Sequence, residues 1–110
     1  MLYAKIVVGL PVSGTFDYVV PEAFVKTIKP GSRVWINFGT RRIVGYVVAL
    51  AKKSQVKDLK PVLELIDKYP LLDKKILLLT GKIADYYCCS WGEAIETALP
   101  EALRKGKKIG

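Results

Sequence analysis

The chain has 110 residues, of which 51% are apolar, and this suits one small domain that folds on a modest hydrophobic core. It contains no histidine, which excludes histidine-based acid–base catalysis, histidine metal ligands and a Ser-His-Asp triad. The net charge of +8, from 18 basic and 10 acidic residues, is compatible with a polyanionic partner such as nucleic acid and equally with a solvated basic surface.

The first third of the chain predicts short β-strands separated by turn residues. Residues 2–8 are apolar and predict a strand. They do not predict a signal peptide, because they lack its basic leader and its small-residue cleavage site. Residues 15–20 alternate in polarity between a glycine and a proline, and predict a second strand. A loop with one turn of helix leads to Pro30-Gly31, a turn pair that precedes a third strand at 32–37.

The third strand has two different faces. The apolar face comprises Val34, Ile36 and Phe38, and the other face, which we expect to point to solvent, comprises Arg33, Trp35 and Asn37. An exposed tryptophan beside an arginine is not needed to keep a solvent-facing strand soluble. The turn after the strand adds Arg41 and Arg42, so this face is a candidate binding surface.

The predicted β-region ends with a hairpin and a short closing strand. Residues 39–42 form a hairpin connection to a long strand at 43–51, in which Gly45 permits a bulge or a sharp bend. Residues 52–57 predict a polar loop. Residues 60–67 fit either a short helix or a strand, and we choose the strand because several short strands with glycine bends are typical of a small OB-like barrel.

The last third of the chain changes to helical spacing. Apolar residues recur with a helical period from about 74 to 88, and Asp73 can cap the start of this amphipathic helix. Ser90 can cap a second short helix, with Glu93 completing a capping box and Pro100 beyond its end. The predicted fold class is therefore mainly β with an α appendix: a small OB-like β-barrel followed by a short two-helix segment.

The expected organisation has three parts. These are an OB-like barrel subdomain at residues 1–68, a helical subdomain at 69–100 and a basic linker at 101–110. Cys88 and Cys89 are adjacent, which suits neither a disulfide nor a metal site, so we expect buried or half-buried free thiols in a reducing cytoplasm. No stretch of the sequence is apolar and long enough to span a bilayer, and we expect no membrane partner.

The sequence offers the ingredients of a single-strand binding surface. Small barrels that bind single strands combine a basic groove, which attracts phosphates, with aromatic rings on which bases stack. The candidate contacts are Arg33, Trp35, Thr40, Arg41, Arg42 and Lys60, with Phe16, Tyr18 or Tyr46 as a further ring. No glycine-rich loop ends in Gly-Lys-Ser/Thr, so the chain does not house an ATP-driven motor. We predict no catalytic residue, no metal site and no cofactor in this chain.

Several motifs follow one another in a specific order. They are Thr-Phe-Asp-Tyr-Val-Val-Pro at 15–21, Gly-Ser-Arg-Val at 31–34 followed by Phe38-Gly39, Ile-Val-Gly-Tyr-Val-Val at 43–48, Leu-Lys-Pro-Val-Leu-Glu-Leu-Ile-Asp at 59–67, Ala-Asp-Tyr-Tyr at 84–87, Gly92-Glu93 and Ala98-Leu99-Pro100. In this order they resemble the amino-terminal domain of the PriA family of bacterial replication-restart helicases, also called primosomal protein N′. The resemblance covers roughly the whole chain. It departs from the family at Asn37, where a proline commonly precedes Phe-Gly, and this leaves the fine geometry of the 38–42 turn open.

The resemblance implies a DNA-binding domain that captures the free 3′ end of the nascent leading strand at a stalled replication fork. The family's binding pocket corresponds here to Phe16, Asp17, Gly39 and Lys60. The ATPase lobes and zinc region of a 3′–5′ helicase would lie outside this chain, so ATP and zinc are expected only there. The expected partners are single-stranded 3′ termini, forked DNA, other domains of the parent helicase and primosome proteins, in the bacterial cytoplasm at the nucleoid.

Such a pocket has a physical logic. A dead-end cavity selects a terminal nucleotide by shape, and Asp17 can accept hydrogen bonds from base or sugar while repelling a 3′ phosphate. Gly39 lets the backbone approach the nucleotide closely, and Lys60 can neutralise the last phosphodiester. We expect Phe16 to contribute through its backbone.

Each of these residues also has a purely structural interpretation. These are an exposed strand position for Asp17, a turn glycine for Gly39, a solvated lysine for Lys60, a core ring for Phe16 and packing under a neighbouring domain for Trp35. The alternative function is a protein-interaction adaptor that docks a replication partner or the helicase core through the Trp35 face and the helices at 74–98. A third is a carboxylate-dependent enzyme using Asp17, Asp85 and Glu93, whose spacing matches no recognised motif.

Overall fold

A computed structural model describes residues 1–108, in which five β-strands precede three helices. The strands are β1 (Tyr3–Val8), β2 (Phe16–Val19), β3 (Arg33–Phe38), β4 (Arg41–Ala51) and β5 (Glu64–Leu65). The helices are α1 (Lys74–Tyr87), α2 (Trp91–Ala98) and α3 (Glu101–Arg104), and a 3-10 turn at Glu22–Phe24 follows β2. This confirms the mainly β fold with a helical appendix.

The strands form one antiparallel sheet in the order β2-β1-β4-β3-β5. This sheet is not closed into a barrel, so closure was the wrong part of the OB-like prediction. Between residues 1 and 108, the two edges of the sheet meet at a single bridge, Val19 to Pro61. The bridge consists of two hydrogen bonds, from the Val19 N–H to the Lys60 carbonyl and from the Val62 N–H to the Val19 carbonyl. β5, which follows in this segment, is only two residues long and pairs with β3. The predicted strand at 60–67 therefore shrinks to β5.

Gly45 has a different role from the one predicted. It pairs regularly within the sheet, and a Cβ at this position would lie 2.6 Å from Ile6 and 3.0 Å from Ile36. The β-bulge lies instead at Val48, the extra residue between the partners of Lys5 and Ile6. The glycine therefore serves close packing of the core.

Apolar residues form two cores, and the second joins the sheet to the helices. The first consists of Ala4, Ile6, Val8, Tyr18, Val20, Ile28, Val34, Ile36, Val47 and Val62. The second consists of Val7, Val44, Tyr46, Ile66, Leu72, Leu77 and Ile95, and so combines residues of the sheet with residues of α1 and α2. Because alternate residues of a strand point to opposite faces, both faces of the central strands are covered. The helices pack on one of them.

The predicted helix caps are confirmed. The Asp73 side chain accepts a hydrogen bond from the backbone N–H of Ile76 at 2.8 Å, and Ser90 with Glu93 forms a complete capping box. Cys88 and Cys89, at the end of α1, are free as expected but exposed, not buried, because they follow the last turn of the helix.

The carboxyl-terminal segment lies against the sheet. The predicted basic linker at 101–110 begins with α3, and its last residues, 109 and 110, lie outside the described residues. The division of the chain at residues 68 and 100 stays a prediction. Within the described part of the chain, no helix has the length and apolar character needed to cross a membrane.

Candidate functional site

A cleft of about 850 Å³ lies between β2, the β3–β4 turn and the loop at residues 53–60. All four predicted pocket residues, Phe16, Asp17, Gly39 and Lys60, line this one cleft. They come from three separate stretches of the chain, and the sheet brings them together. Whether they contact DNA stays a prediction.

Asp17 is the anionic group of the cleft. It lies on β2 opposite Lys5 of β1, whose Nζ donates to Oδ1 at 3.2 Å, and the Ser54 hydroxyl donates to Oδ2 at 2.6 Å. Its side chain is only 10% exposed, so the interpretation of Asp17 as a freely exposed strand residue is wrong. The hydrogen bond from Ser54 holds the pKa of Asp17 below its ordinary value of 3.8, with Lys5 adding to the effect and burial opposing it. Asp17 is therefore a carboxylate at neutral pH.

Gly39 and Lys60 form the opposite side of the cleft. Gly39 has a φ of 64°, in the left-handed region. Apart from Gly39 and its two chain neighbours, no atom of residues 1–108 lies within 4 Å of the position that a Cβ would occupy. The backbone is therefore open to close approach, and the residue serves as turn glycine and cleft wall at once. The Nζ of Lys60 donates to the Gly39 carbonyl at 3.0 Å. An ammonium group has three donors, so two remain for an anionic ligand.

The aromatic rings named in the sequence analysis are held by the strands, and Tyr46 lies outside the cleft. Phe16 packs edge-to-face on Phe38, with centroids 5.0 Å apart at 82°. Tyr18 and Tyr46 are buried, and their hydroxyls donate to the Asn37 carbonyl at 2.8 Å and to the Glu96 carboxylate at 2.9 Å. Neither tyrosine is a stacking ring, because both are core residues with satisfied hydroxyls.

The loop at residues 53–60 supplies residues that the sequence analysis missed. The charged groups that line the cleft are Lys5, Lys53, Lys57, Lys60, Asp17 and Asp58, so four cations surround two carboxylates. The lysines of this loop are visible in the sequence as a basic run, although the pattern predicted only a polar loop. The contact of Ser54 with Asp17 spans 37 residues, and no local spacing predicts it.

Arg33 is not on a solvent-facing surface, and this expectation was wrong. Its side chain is fully buried, with Nη2 2.6 Å and Nε 2.9 Å from the two carboxylate oxygens of Asp67. Nη1 donates to the carbonyl of Leu103 in α3. The guanidinium is therefore occupied by the protein, because the segment after α2 covers this face of β3.

The other predicted contacts lie outside the cleft. Trp35 is half-buried, with the Arg42 guanidinium 4.9 Å from its ring centroid and with Gly106 so close that a Cβ there would lie 2.3 Å from the ring. The hairpin connection is shorter than predicted, since Arg41 and Arg42 belong to β4 and only Gly39 and Thr40 form the turn. Thr40, Arg41 and Arg42 are exposed at this end of the hairpin.

Comparison with known proteins connects this architecture with one family. Residues 5–100 match the family described as 3′DNA-binding domain (3′BD) of PriA. Replication restart protein PriA of Bacillus subtilis is 31% identical over 109 residues, which cover 94% of this chain and 14% of the relative. The Haemophilus influenzae protein is 31% identical over 97% of this chain and 15% of its own length. The Chlamydia pneumoniae protein is 31% identical over 90% of this chain and 13% of its own length.

The chain thus spans about one seventh of the length of these relatives, since the matched part of the Bacillus subtilis protein is 14%. The family match extends over most of the strands and over α1 and α2, the elements that build and support the cleft. The chain therefore belongs to the family of 3′DNA-binding domains of the replication restart protein PriA.

Proposed function

We propose that this chain binds the 3′ terminus of single-stranded DNA, as presented by the nascent leading strand at a stalled replication fork. The observation that carries this proposal is the cleft in which the Asp17 carboxylate lies at 10% exposure among four lysines. A terminal nucleotide carries a phosphodiester on one side and a free hydroxyl on the other. The cleft offers a group suited to each.

Asp17 supplies the acceptor for the terminal hydroxyl. A carboxylate has about four lone-pair sites, and the bonds from Lys5 and Ser54 take one on each oxygen. The remaining sites accept a donor from sugar or base. We expect a 3′ phosphate to bind less well, because it would repel the Asp17 carboxylate.

Lys60 and the other lysines of the loop supply the contacts to phosphate. Lys60 is anchored on Gly39, so its charge is placed beside the open backbone of the turn. Lys53 and Lys57 line the same cleft. Few phosphates are reached in this way, so we expect moderate affinity that falls with salt, and little dependence on base sequence.

The wider role that we propose is supported by membership of the family. We assign to this chain the binding of DNA ends and no catalysis. The ATP- and zinc-dependent parts of a 3′–5′ helicase belong to the remainder of the parent protein, and its other domains, forked DNA and primosome proteins are the proposed partners in the bacterial cytoplasm. An adaptor that docks through Trp35 has less support, because residues 103–106 already contact Arg33 and Trp35.

The test is fluorescence anisotropy with one oligonucleotide that ends in a 3′ hydroxyl or a 3′ phosphate, at two salt concentrations. We expect a preference for the hydroxyl end that persists at the higher salt. Asp17→Ala should lose about tenfold or more in affinity for the hydroxyl end, the value of a hydrogen bond to a charged group. Lys75→Met on α1 is the control for a variant outside the cleft. Equal, salt-labile binding of both ends would overturn the proposal and favour an adaptor.

A further inference from the structure

The Asp17 carboxylate is held by donors from two different elements. Lys5 of β1 reaches Oδ1 at 3.2 Å with a side chain that is 40% exposed, whereas the Ser54 hydroxyl reaches Oδ2 at 2.6 Å. A length near 2.6 Å is typical of a hydroxyl that donates to an ionised carboxylate, which is among the stronger hydrogen bonds in proteins. Ser54 is therefore the tighter of the two restraints.

Ser54 makes a second hydrogen bond, in which its hydroxyl oxygen is the acceptor. Ser54 Oγ accepts a hydrogen bond from the backbone N–H of Val56 at 3.2 Å. A carboxylate can only accept, so the single hydroxyl proton of Ser54 points to Asp17. The loop thus folds back on its own serine and presents that serine to β2.

We propose that Ser54 is a positioning residue of the DNA-end cleft, which orients the Asp17 carboxylate for the terminal nucleotide and ties the lysine-bearing loop to β2. This inference rests on the proposed function. Ser54 is not a ligand contact in this proposal, since its only proton is used on Asp17. Its effect on DNA passes through the orientation of the carboxylate and through the placement of Lys53, Lys57 and Lys60 along the same loop.

Replacement of Ser54 separates positioning from charge. The charged groups that face the cleft are Lys5 from β1 and Lys53, Lys57, Asp58 and Lys60 from the loop, and a neutral serine-to-alanine change leaves all of them in place. A loss of binding in Ser54→Ala is therefore not an effect of net charge. Ser54→Thr keeps the hydroxyl and is the conservative variant.

The first measurement needs no DNA. The Asp17 carboxyl is titrated by NMR in the wild type, Ser54→Ala, Ser54→Thr and Ser13→Ala, the last being a change at an exposed serine away from the cleft. Loss of the donor removes the first cause of the low pKa of Asp17, so this pKa should rise in Ser54→Ala. It should stay low in Ser54→Thr and in Ser13→Ala.

The second measurement is binding of the oligonucleotide with a 3′ hydroxyl and with a 3′ phosphate, over a range of pH. We expect Ser54→Ala to lose roughly threefold to tenfold in affinity for the hydroxyl end, the equivalent of one net hydrogen bond, and to lose part of its preference over the phosphate end. Because its Asp17 protonates at a higher pH, its binding should also fail at a higher pH than that of the wild type. Ser54→Thr should restore all three properties.

The outcomes are distinct. An unchanged pKa of Asp17 in Ser54→Ala overturns the positioning role, and so does a raised pKa with undiminished binding of the hydroxyl end. A wild type that binds both ends equally overturns the proposed function and this inference with it. The two failures are distinguishable, because the NMR titration detects the contact between Ser54 and Asp17 in the absence of DNA.

Discussion

Lys60 is the residue through which the cleft can be tested one charge at a time. It is exposed, and within the described residues the hydrogen bond of its side chain is to the Gly39 carbonyl, so removal of its charge should leave the fold intact. Lys60→Met should weaken binding of single-stranded DNA and reduce the slope of log affinity against log salt by about 0.7, the value of one phosphate contact on a single strand. A salt titration of binding checks this.

The matched control for this change is Lys75→Met, since Lys75 is exposed on α1 outside the cleft. It should leave the slope within error of the wild type. An equal reduction of the slope by both variants would mean that the protein attracts DNA through its net charge and not through a placed contact at Lys60.

The ion pair of Arg33 and Asp67 should contribute to the stability of the fold and not to DNA binding. Both side chains are almost fully buried, at 0% and 7% exposure, and they are joined at two points. Arg33→Met leaves a buried carboxylate without its partner and should cost about 3–5 kcal/mol in the free energy of unfolding, measured by urea denaturation. The double change Arg33→Met with Asp67→Leu should recover part of this loss. A cost below about 1 kcal/mol for the single change would contradict the buried pair.

These residues mark what the sequence could predict of the site. The motif resemblance placed Asp17 and Lys60 in one pocket, and the structure brings both to one cleft. Alternation along β3 correctly separated Arg33 from Val34, but it could not tell which face the later segment covers. Ser54 escaped prediction for the same reason, since its partner lies 37 residues earlier in the chain.

At the scale of elements, two glycines of the helices have opposite roles. Gly92 lies in the first turn of α2 against β1, where a Cβ would lie 1.8 Å from the Val8 carbonyl oxygen. Gly81 lies within α1, where a Cβ would make only ordinary contact with Trp91 at 3.5 Å. The close approach of α2 to β1 therefore depends on Gly92, whereas the position of Gly81 has room for a methyl group.

Alanine substitutions should separate these roles. Gly92→Ala should lower the free energy of unfolding by about 1–3 kcal/mol or more, because backbone must move to admit the methyl group. Gly81→Ala should raise it by about 0.5–1 kcal/mol, the gain in helix propensity. Both are measured by urea denaturation under one set of conditions. Destabilisation by both to a similar extent would show that α1 is packed more tightly than these distances indicate.

The elements themselves were predictable to different degrees. The caps at Asp73 and Ser90 are local signals, and both helices begin where these residues indicate. Closure of the sheet is a long-range property, and the bridge from Val19 to Pro61 shows why the sequence could not give it. The bridge joins residues 42 positions apart in the chain, and the apolar pattern around Pro61 is that of a strand whether or not a ladder extends from the bridge.

At the scale of the whole molecule, the helices are fixed to the sheet by polar as well as apolar contacts. The Tyr46 hydroxyl, from the centre of the sheet, donates to the Glu96 carboxylate of α2 at 2.9 Å. Burial, and then the charge of Glu96, raises the pKa of Tyr46 well above its ordinary value of 10.0. This hydrogen bond is therefore present throughout the physiological range. It holds α2 on the face of the sheet that also carries the second core.

The same carboxylate that we propose for DNA binding should also shape the acid stability of the whole domain. The pKa of Asp17 is lowered in the folded state, so the unfolded chain takes up this proton first as the pH falls. The contribution of Asp17 to the free energy of unfolding is therefore complete above its ordinary value of 3.8 and is lost as the pH falls through the lower native value. Stability should decline in that range.

Asp17→Asn removes this proton from both states and should flatten the acid limb of the stability curve, measured by urea denaturation at a series of pH values from about 6 to about 2. Its stability at neutral pH should be lower than that of the wild type, because the amide loses the charge that Ser54 and Lys5 stabilise. Asp85→Asn, at an exposed position on α1, is the control and should keep the slope of the wild type. An acid limb of unchanged slope in Asp17→Asn would show that the donors around Asp17 do not favour its ionised form.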